Sequence, residues 1–539
     1  MKWLRLIVLF LILAPASRAR TQTFPAESRP NLLLIVADDL GWGDLGVNFQ
    51  NQRSATKRLH TPHLDTLAAD GVNLWRHYCA APVCAPSRAS LLTGRHQGHC
   101  EIRDNQFDAA LPNVPTLATM LRGGGYQTAL IGKYGLQGGD FGRDDSVGGD
   151  PDRWPAYPTK RGFDDFFGYV RHRDGHQHYP AHRWLIGDSP AHREPKQLWW
   201  NGDEVSSDAT GCYTTDLFTA MAKRVIDQSV NREEPFFVMV TYDTPHAALQ
   251  LPPCPYPEDG VRWLGQPDRL INATGPIDSY RHPDYESPAD HHAGFTDVET
   301  RFATSVRRVD DAVGDLRRHL ERRGIADETM VIFTSDNGPH RESYLDDIRY
   351  TPTSFESYGP FDGIKRDCYE GGIRVPTLMA WPGQIPPQID RRPSIQTDWM
   401  ATLADAAGID PPDPCDGVSM LPRWRSQTDA PESVIYIEYF NRTPTPSYDA
   451  FAAARRGARR DQMQVVVIDG FKGVRYRIKS DQTPFEIYDV DKDPGERNDL
   501  AGTSEAFRSL QRRMLAFADR QHRPHPNAPR PYDGAMSPQ

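Results

Sequence analysis

The stretch Cys84–Arg95 reads C-A-P-S-R-A-S-L-L-T-G-R, and this pattern predicts a short helix with a reactive start. Pro86 suits the first helical turn, where an N–H is not needed, and Gly94 is expected just past the end. Cys84 therefore lies at or just before the N-terminus, where N–H groups and the helix dipole favour anions and tend to lower a thiol pKa. Arg88, one turn later, adds a permanent charge that suits an oxyanion. A buried structural cysteine would fit the same pattern.

The composition is that of a globular protein with generous loops. The chain has 539 residues, 38% hydrophobic and 25% charged, with a formal net charge of −10. This length is enough for a large core plus a smaller domain, or for two or three domains. The negative balance excludes a global basic field that would attract nucleic acid, so an anionic substrate would need a local positive pocket.

The N-terminus resembles a secretory signal. Lys2 and Arg5 precede the apolar run Leu6–Ala14, and small residues follow it. The run is too short to span a membrane as a helix, although an uncleaved anchor is the alternative interpretation. We therefore expect a signal peptide at residues 1–20 and an exported protein, periplasmic or secreted. In such a compartment some of the seven cysteines could form disulfides, but their spacing does not say which.

Oxygen-bearing side chains follow two predicted buried strands, at 31–37 and 330–335. Ligands bind at the carboxyl ends of strands in open α/β sheets. The side chains at these two ends are Asp38, Asp39, Asp336 and Asn337. Such a set, without a soft ligand, favours Ca²⁺ or Mg²⁺ over zinc or copper. Helix capping and a tight turn are the alternatives.

The string C-x-P-S-R-x-x-x-L-T-G-R at Cys84 resembles the signature of the type I sulfatases, with every fixed position matched. In that family a separate maturation enzyme oxidises the cysteine to Cα-formylglycine, and the hydrate of this aldehyde attacks the sulfur of a sulfate ester. The resemblance extends in the same order over nearly the whole mature chain. It implies an alkaline-phosphatase-like α/β fold, with a large mixed sheet between helices and a smaller C-terminal antiparallel sheet plus helix.

The resemblance also implies the site residues. The expected catalytic residues are Cys84, Arg88, Lys133, His176, His246 and Lys365. Lys133 and Lys365 match the sulfate-contacting lysines of the family, and His246 matches its sulfate-binding histidine. The expected metal ligands are Asp38, Asp39, Cys84, Asp336 and Asn337. The family precedent favours Ca²⁺ over Mg²⁺.

One position departs from the family pattern. Many members carry a histidine two residues after the lysine that matches Lys133, and this chain has Gly135. The loop 171–180 contains several basic or titratable side chains, among them His176. We hypothesise that His176 replaces the missing acid near the leaving oxygen. A solvated polar loop is the alternative.

The expected domain organisation is a catalytic domain at 29–425, a C-terminal subdomain at 430–520 and a flexible tail at 521–539. The long segments 251–292 and 341–361 are candidates for substrate selection. Periodicity predicts helices at 61–71, 114–121, 213–230, 295–323, 395–407 and 504–520. It predicts further strands at 125–133, 235–241, 376–381, 433–439, 464–468, 473–478 and 485–488, and an aromatic turn at 161–169.

These observations predict a sulfuric ester hydrolase that acts on an aryl sulfate or a sulfated carbohydrate. Its partners would be that substrate and the maturation enzyme, with no nucleic acid and no stable membrane anchor. Two other functions stay open. The same fold could hydrolyse phosphoesters or phosphonates, because formylglycine also occurs in such hydrolases. An unmatured chain could instead bind sulfated glycans without catalysis.

Overall fold

The computed structural model describes residues 29–533 except 55–56, 107, 140–151, 153, 183–194, 268, 287–293 and 346–347. The expected signal peptide at 1–20 lies outside the described residues. The helices are α1 (Pro62–Ala69), α2 (Cys84–Thr93), α3 (Leu117–Gly123), α4 (Thr214–Arg232), α5 (Asp297–Arg323), α6 (Glu370–Ile373), α7 (Asp398–Ala407), α8 (Leu421–Trp424) and α9 (Glu505–Gln521). Among the described residues, no helix combines the length and the apolar character that crossing a membrane would require.

The strands fall into a large N-terminal group and a smaller C-terminal group. The first group comprises β1 (Asn31–Ala37), β2 (Val72–Leu74), β3 (His77–Tyr78), β4 (Gln127–Lys133), β5 (Asp165–Tyr169), β6 (Trp199–Trp200), β7 (Asp203–Glu204), β8 (Phe236–Thr241), β9 (Trp263–Gln266), β10 (Arg269–Ile271), β11 (Thr329–Ser335), β12 (Thr377–Ala380), β13 (Gln388–Asp390) and β14 (Ser394–Ile395). The second comprises β15 (Tyr436–Pro444), β16 (Arg459–Ile468), β17 (Phe471–Arg475) and β18 (Glu486–Tyr488).

Ten strands form one mixed sheet in the order β13-β2-β12-β11-β1-β8-β4-β5-β6-β7. The five central strands β11, β1, β8, β4 and β5 are mutually parallel. Every residue of β1 is buried, as its continuous apolar run predicts for a strand covered on both faces. The parallel centre brings several strand C-termini to one edge of the sheet.

Helices cover both faces of this sheet. Leu33 and Ile35 of β1 point into a core shared with α1, α4 and α5. Leu32 and Leu34 point to the opposite side, into a core shared with α2, α3 and α7. The alternation follows from the period-two geometry of a strand, so one strand anchors both layers.

The C-terminal strands form a separate antiparallel sheet in the order β15-β16-β17-β18. One face packs against Tyr78, Val83 and the region around α6. The other face is covered by Leu510 and Met514 of α9. The small sheet therefore supports the segment that leads directly into α2.

Several boundaries differ from those predicted. The segment 161–169, predicted as an aromatic turn, contains the sheet strand β5. Helix α3 begins at Leu117 rather than at 114, because the Thr116 hydroxyl accepts the Thr119 N–H and caps the helix there. The long segment 251–292 contains the β9–β10 hairpin in its described part.

The expected flexible tail at 521–539 stays a prediction, and its described part, which ends at Asp533, contacts the rest of the chain. Arg530 donates to Glu438 at 3.1 Å and to Asp104 at 2.8 Å, which fastens this segment to β15 and to the loop after α2. Residues 534–539 lie outside the described part of the chain.

Candidate active site

The candidate active site lies at the edge where four parallel strands end. Asp38 and Asp39 follow β1, Asp336 and Asn337 follow β11, and Lys133 is the last residue of β4. His246 follows β8 by a short loop. The parallel register places these four ends side by side, as Asp336 N–H donates to the Ala37 carbonyl at 3.1 Å.

Helix α2 delivers Cys84 to this edge. The helix begins at Cys84 and ends at Gly94, whose φ of +65° is left-handed, as the sequence predicts. Leu91 and Leu92 are buried in the core. Arg88 points the other way, donating from Nε to Asp336 Oδ2 at 2.9 Å and from Nη1 to the Lys133 carbonyl at 3.1 Å.

An acidic group surrounds the thiol. Cys84 Sγ lies 3.3 Å from Asp38 Oδ1 and 3.8 Å from Asp39 Oδ1. One potential ligand atom from each of Cys84, Asp38, Asp39 and Asp336 lies within 4.8 Å of the others, and all four residues are buried. Asp336 also accepts the Asp39 backbone N–H at 3.1 Å, which locks the two strand ends together.

Two ammonium groups offset the charge of this acidic group, and one imidazole contacts it. Lys133 Nζ lies 2.6 Å from Asp38 Oδ2, and Lys365 Nζ lies 2.7 Å from Asp39 Oδ2. His246 Nε2 approaches the same Asp39 oxygen at 3.4 Å. All three side chains are buried, and their nitrogen atoms converge on the carboxylates of Asp38 and Asp39.

These contacts move several pKa values. Burial alone would raise the pKa of Asp38, but Lys133, His246 and Arg88 lower it well below its ordinary value. Burial and the nearby Asp38 raise the pKa of Asp336 to about 7. The same environment therefore lowers the pKa of Asp38 and raises the pKa of Asp336.

The lowered pKa expected for Cys84 from its place at a helix N-terminus is wrong for the free thiol. Burial, and then the carboxylates of Asp336 and Asp38, raise the pKa of Cys84 well above its ordinary value. The helix dipole is outweighed because the thiolate would be a further negative charge in an acidic group.

The donor set fits a hard divalent cation. Asp38, Asp39, Asp336 and Asn337 present oxygen atoms, and no histidine nitrogen belongs to the acidic group. Asn337 Nδ2 donates to Asp39 Oδ1 at 2.7 Å, whereas Asn337 Oδ1 is buried without a hydrogen-bond partner among the described residues. A divalent cation that binds oxygen ligands would give this buried carbonyl oxygen the partner that it lacks.

Three histidines line one side of the site. The rings of His176 and His246 are stacked with centroids 4.6 Å apart, and His340 stacks on the other side of His246 at 5.8 Å. Burial and the neighbouring positive charges lower the pKa values of His176 and His246 well below normal.

His172 packs beside Gly135, the position where the family pattern has a histidine. A Cβ atom at Gly135, whose φ is +75°, would lie 3.0 Å from His172 Nδ1. His172 contacts His176 edge to face at 5.3 Å between ring centroids. The structure thus brings His176 to the site through His246, and places His172 next to Gly135.

The sequence assigned no individual role to His340 or Glu342, although Glu342 lies in the segment 341–361 that was a candidate for substrate selection. Ligand atoms of Asp39, His340 and Glu342 lie within 4.8 Å of one another. The only signal in the sequence was position, because His340 closes the D-N-G-P-H string directly after β11. Glu342 carries no motif and approaches the site only through the path of the following loop.

All seven cysteines are in the described part of the chain, and none forms a disulfide. Five of them, Cys84 among them, are buried, whereas Cys254 and Cys415 are partly exposed. The disulfide bonds that an exported protein could form are therefore absent from this structure.

The chain is similar in sequence to known proteins. The family model described as Sulfatase matches residues 30–409, and the model described as N-sulphoglucosamine sulphohydrolase, C-terminal, matches residues 357–520. The chain is 28% identical over 414 residues to the N-acetylgalactosamine-6-sulfatase of Mus musculus, covering 74% of this chain but only 66% of that relative.

Solved structures share the fold. The structure described as Ps i-CgsB in complex with k-i-k-neocarrahexaose has a TM-score of 0.66 and 24% identity, covering 92% of this chain and 94% of that one. The phosphonate monoester hydrolase of Agrobacterium radiobacter has a TM-score of 0.55 and 20% identity, covering 92% and 96%.

Proposed function

The chain belongs to the sulfatase family, as a type I sulfatase of the alkaline phosphatase superfamily, and from this premise we propose that it hydrolyses sulfate esters of carbohydrates. The predicted alkaline-phosphatase-like fold, with its large mixed sheet and smaller C-terminal antiparallel sheet, is confirmed. The carbohydrate as alcohol is proposed because a relative at 28% identity is named for a sulfated amino sugar. An aryl sulfate is the simplest artificial substrate for the same site.

The observation that carries the proposal is the convergence of charges around Cys84. Cys84, the position of the proposed nucleophile, has its sulfur within 4.8 Å of oxygen atoms of three carboxylates. These carboxylates form ion pairs with Lys133, Lys365 and Arg88. A sulfate monoester needs this combination of a nucleophile, a hard-cation site and fixed positive charges. The formylglycine hydrate would supply the attacking oxygen, and a cation, Ca²⁺ rather than Mg²⁺, would supply charge for the sulfate oxygens.

In this proposal the basic residues bind the sulfate and the nucleophile, and Asp336 accepts a proton. Lys133 and Lys365 would donate from Nζ to the sulfate oxygens and stabilise the charge that grows in the transition state. Arg88, fixed by its bond to Asp336 Oδ2, would hold the hydroxyl groups at position 84 in place. Asp336 has an oxygen within 4.8 Å of the position 84 side chain and would accept a hydroxyl proton there.

The alcohol would leave on the histidine side of the site. His246 contacts the Asp39 oxygen that Lys365 also binds, so it would help to position the sulfate. The low pKa keeps His176 neutral in the free site, and the negative charge of a bound sulfate ester would raise that pKa. His176, stacked on His246, would then give its ring proton to the leaving oxygen. In the net reaction one water and one sulfate ester give the alcohol, sulfate and one proton.

Maturation and export complete the proposal. The chain would require a formylglycine-generating enzyme as a partner, because Cys84 as a thiol has a raised pKa and makes a poor nucleophile. The N-terminal signal pattern supports a periplasmic or secreted protein.

The deciding experiment is peptide mass spectrometry over residue 84, with protein made in cells that also express the maturation enzyme. We expect a lighter, aldehyde-bearing peptide that reacts with a hydrazide. A Cys84→Ala chain from the same cells controls for the chemistry. An unmodified thiol, with a control sulfatase converted in the same cells, would contradict the proposal and favour an unmatured glycan-binding protein.

The matured protein should then be tested on matched 4-nitrophenyl sulfate, 4-nitrophenyl phosphate and a phosphonate monoester. We expect the sulfate ester to be turned over with the highest kcat/KM. A higher kcat/KM on the phosphate or the phosphonate would instead identify a phosphoester or phosphonate hydrolase on the same fold.

A further inference from the structure

A cleft of about 890 Å³ opens beside the histidine side of the active site. Its wall includes Glu342, Tyr344 and Tyr448. The Tyr344 ring lies 5.9 Å from the His176 ring and 6.2 Å from the His246 ring, between centroids. The cleft therefore adjoins the place where the alcohol part of a sulfate ester would lie.

A charged pair links this cleft to the catalytic residues. Glu342 Oε1 accepts from Arg366 Nη1 at 2.8 Å, and the two side chains are 20% and 26% exposed. An oxygen of Glu342 lies within 4.8 Å of an oxygen of Asp39, and Arg366 directly follows Lys365. The pair thus reaches from the acidic group to the open cleft.

The charges of the pair are well fixed. Burial alone would raise the pKa of Glu342, but Arg366 and Lys365 lower it well below normal, so the carboxylate stays ionised. A carboxylate accepts two hydroxyl groups and a guanidinium donates in a planar fork. Together they match the neighbouring hydroxyls of a pyranose ring.

Tyr344 adds a flat surface to the same cleft. Its backbone φ is +51°, a left-handed conformation that is uncommon for a residue with a side chain. In this conformation the ring lies beside the rings of His176 and His246. An aromatic face at this place suits the C–H face of a sugar.

We propose that Glu342, Arg366 and Tyr344 bind the alcohol part of the substrate, a pyranose that carries free hydroxyls next to its single sulfate ester. This inference rests on the proposed function and narrows its carbohydrate substrate to a monosulfated pyranose. The fixed negative charge of Glu342, so close to the reacting group, disfavours a second sulfate on the adjacent carbon.

The test compares the matured wild-type chain with Glu342→Gln and Tyr344→Leu. Two substrates are used, namely 4-nitrophenyl sulfate and the best substrate from a panel of monosulfated galactose, glucosamine and N-acetylgalactosamine. For each variant we expect the ratio of kcat/KM on the sugar to kcat/KM on the aryl sulfate to fall at least tenfold, mainly through a higher KM for the sugar. Glu505→Gln, which alters an exposed glutamate–arginine pair on α9, is the matched control and should leave the ratio unchanged.

The outcomes separate this inference from the proposed function. If the wild-type chain hydrolyses neither substrate, the proposed function fails. If it hydrolyses the aryl sulfate but no sugar of the panel, or if both variants keep the wild-type ratio, the sugar site is overturned while the sulfatase activity stands. A disulfated sugar that outperforms its monosulfated analogue would also overturn the proposed substrate class.

Discussion

His176 is the single residue on which the leaving-group chemistry depends. We expect His176→Ala to lower kcat for a sugar sulfate by about 10²- to 10⁴-fold, the usual range for the loss of a general acid. The effect on 4-nitrophenyl sulfate should be much smaller, because a nitrophenolate leaves without protonation. Steady-state kinetics on both substrates with matured protein measure the difference.

His172→Ala provides the matched comparison, because His172 fills the space beside Gly135 and contacts His176. We expect it to act only through the position of His176 and to have the smaller effect on kcat. If His176→Ala retains full sugar-sulfate turnover while His172→Ala loses it, the acid is His172 and the proposed role of His176 is wrong.

Helix α2 depends on how it ends as well as on how it begins. At Gly94 an added Cβ would lie 2.7 Å from Met400 Cβ, and the φ of +65° is left-handed. Gly324 ends α5 with a φ of +73° but has no neighbouring heavy atom within 4 Å of an added Cβ. Comparing alanine substitutions at these two glycines therefore separates the cost of backbone strain from the cost of steric crowding.

We expect Gly324→Ala to lower the free energy of unfolding by about 1 kcal/mol, the cost of a left-handed residue with a side chain. Gly94→Ala should cost at least about 1 kcal/mol more, because overpacking adds to the same strain. Urea unfolding of both variants measures this. Equal losses would mean that α7 moves away from α2 without cost.

The elements that could be predicted are those with strong local signals. The run 31–37 is apolar throughout and became β1, and Gly94 ends α2 as predicted. The caps Thr116 and Thr296 lie inside the segments predicted as helix, so these two helix starts were placed too early. Strand β5 was missed because its aromatic and glycine residues also suit a turn. Pairing with β4 decides its conformation, and that contact is not local in the sequence.

In the candidate active site, too, the residues marked by local motifs could be predicted and the others could not. The residues at strand ends were predicted because motifs mark them, and the structure brings them together at one edge of the sheet. Their roles stay predictions. The segment 341–361 was predicted as a candidate for substrate selection, but Glu342 and Tyr344 could not be singled out within it, because they reach the site only through the course of the loop after β11.

A buried carboxylate, Glu438 on β15, connects parts of the chain that are far apart in the sequence. It accepts from Arg103 Nη1 at 3.0 Å, from Arg530 Nε at 3.1 Å and from the Tyr436 hydroxyl at 2.6 Å. His522 Nδ1 lies 3.0 Å from its second oxygen. One side chain therefore joins the loop after α2, the small sheet and the C-terminal segment.

Glu438→Gln should destabilise the protein by about 3–5 kcal/mol at pH 7, because it leaves the buried Arg103 guanidinium without its carboxylate and the buried Arg530 guanidinium with Asp104 alone. Burial alone would raise the pKa of Glu438, but His522, Arg530 and Arg103 lower it well below normal in the folded state. The stabilisation is therefore complete above the unfolded pKa of about 4.3 and is lost as the pH falls toward the folded value.

Urea unfolding of the wild-type and Glu438→Gln chains between pH 3.5 and 7 measures this loss. We expect the difference in unfolding free energy to stay constant down to about pH 5 and then to shrink by up to about 1.4 kcal/mol for each pH unit below 4.3. Glu432→Gln, an exposed glutamate in the segment before β15, should show no such dependence. A difference that does not change with pH would mean that the carboxylate charge contributes nothing, and that packing alone joins the small sheet to the sulfatase core.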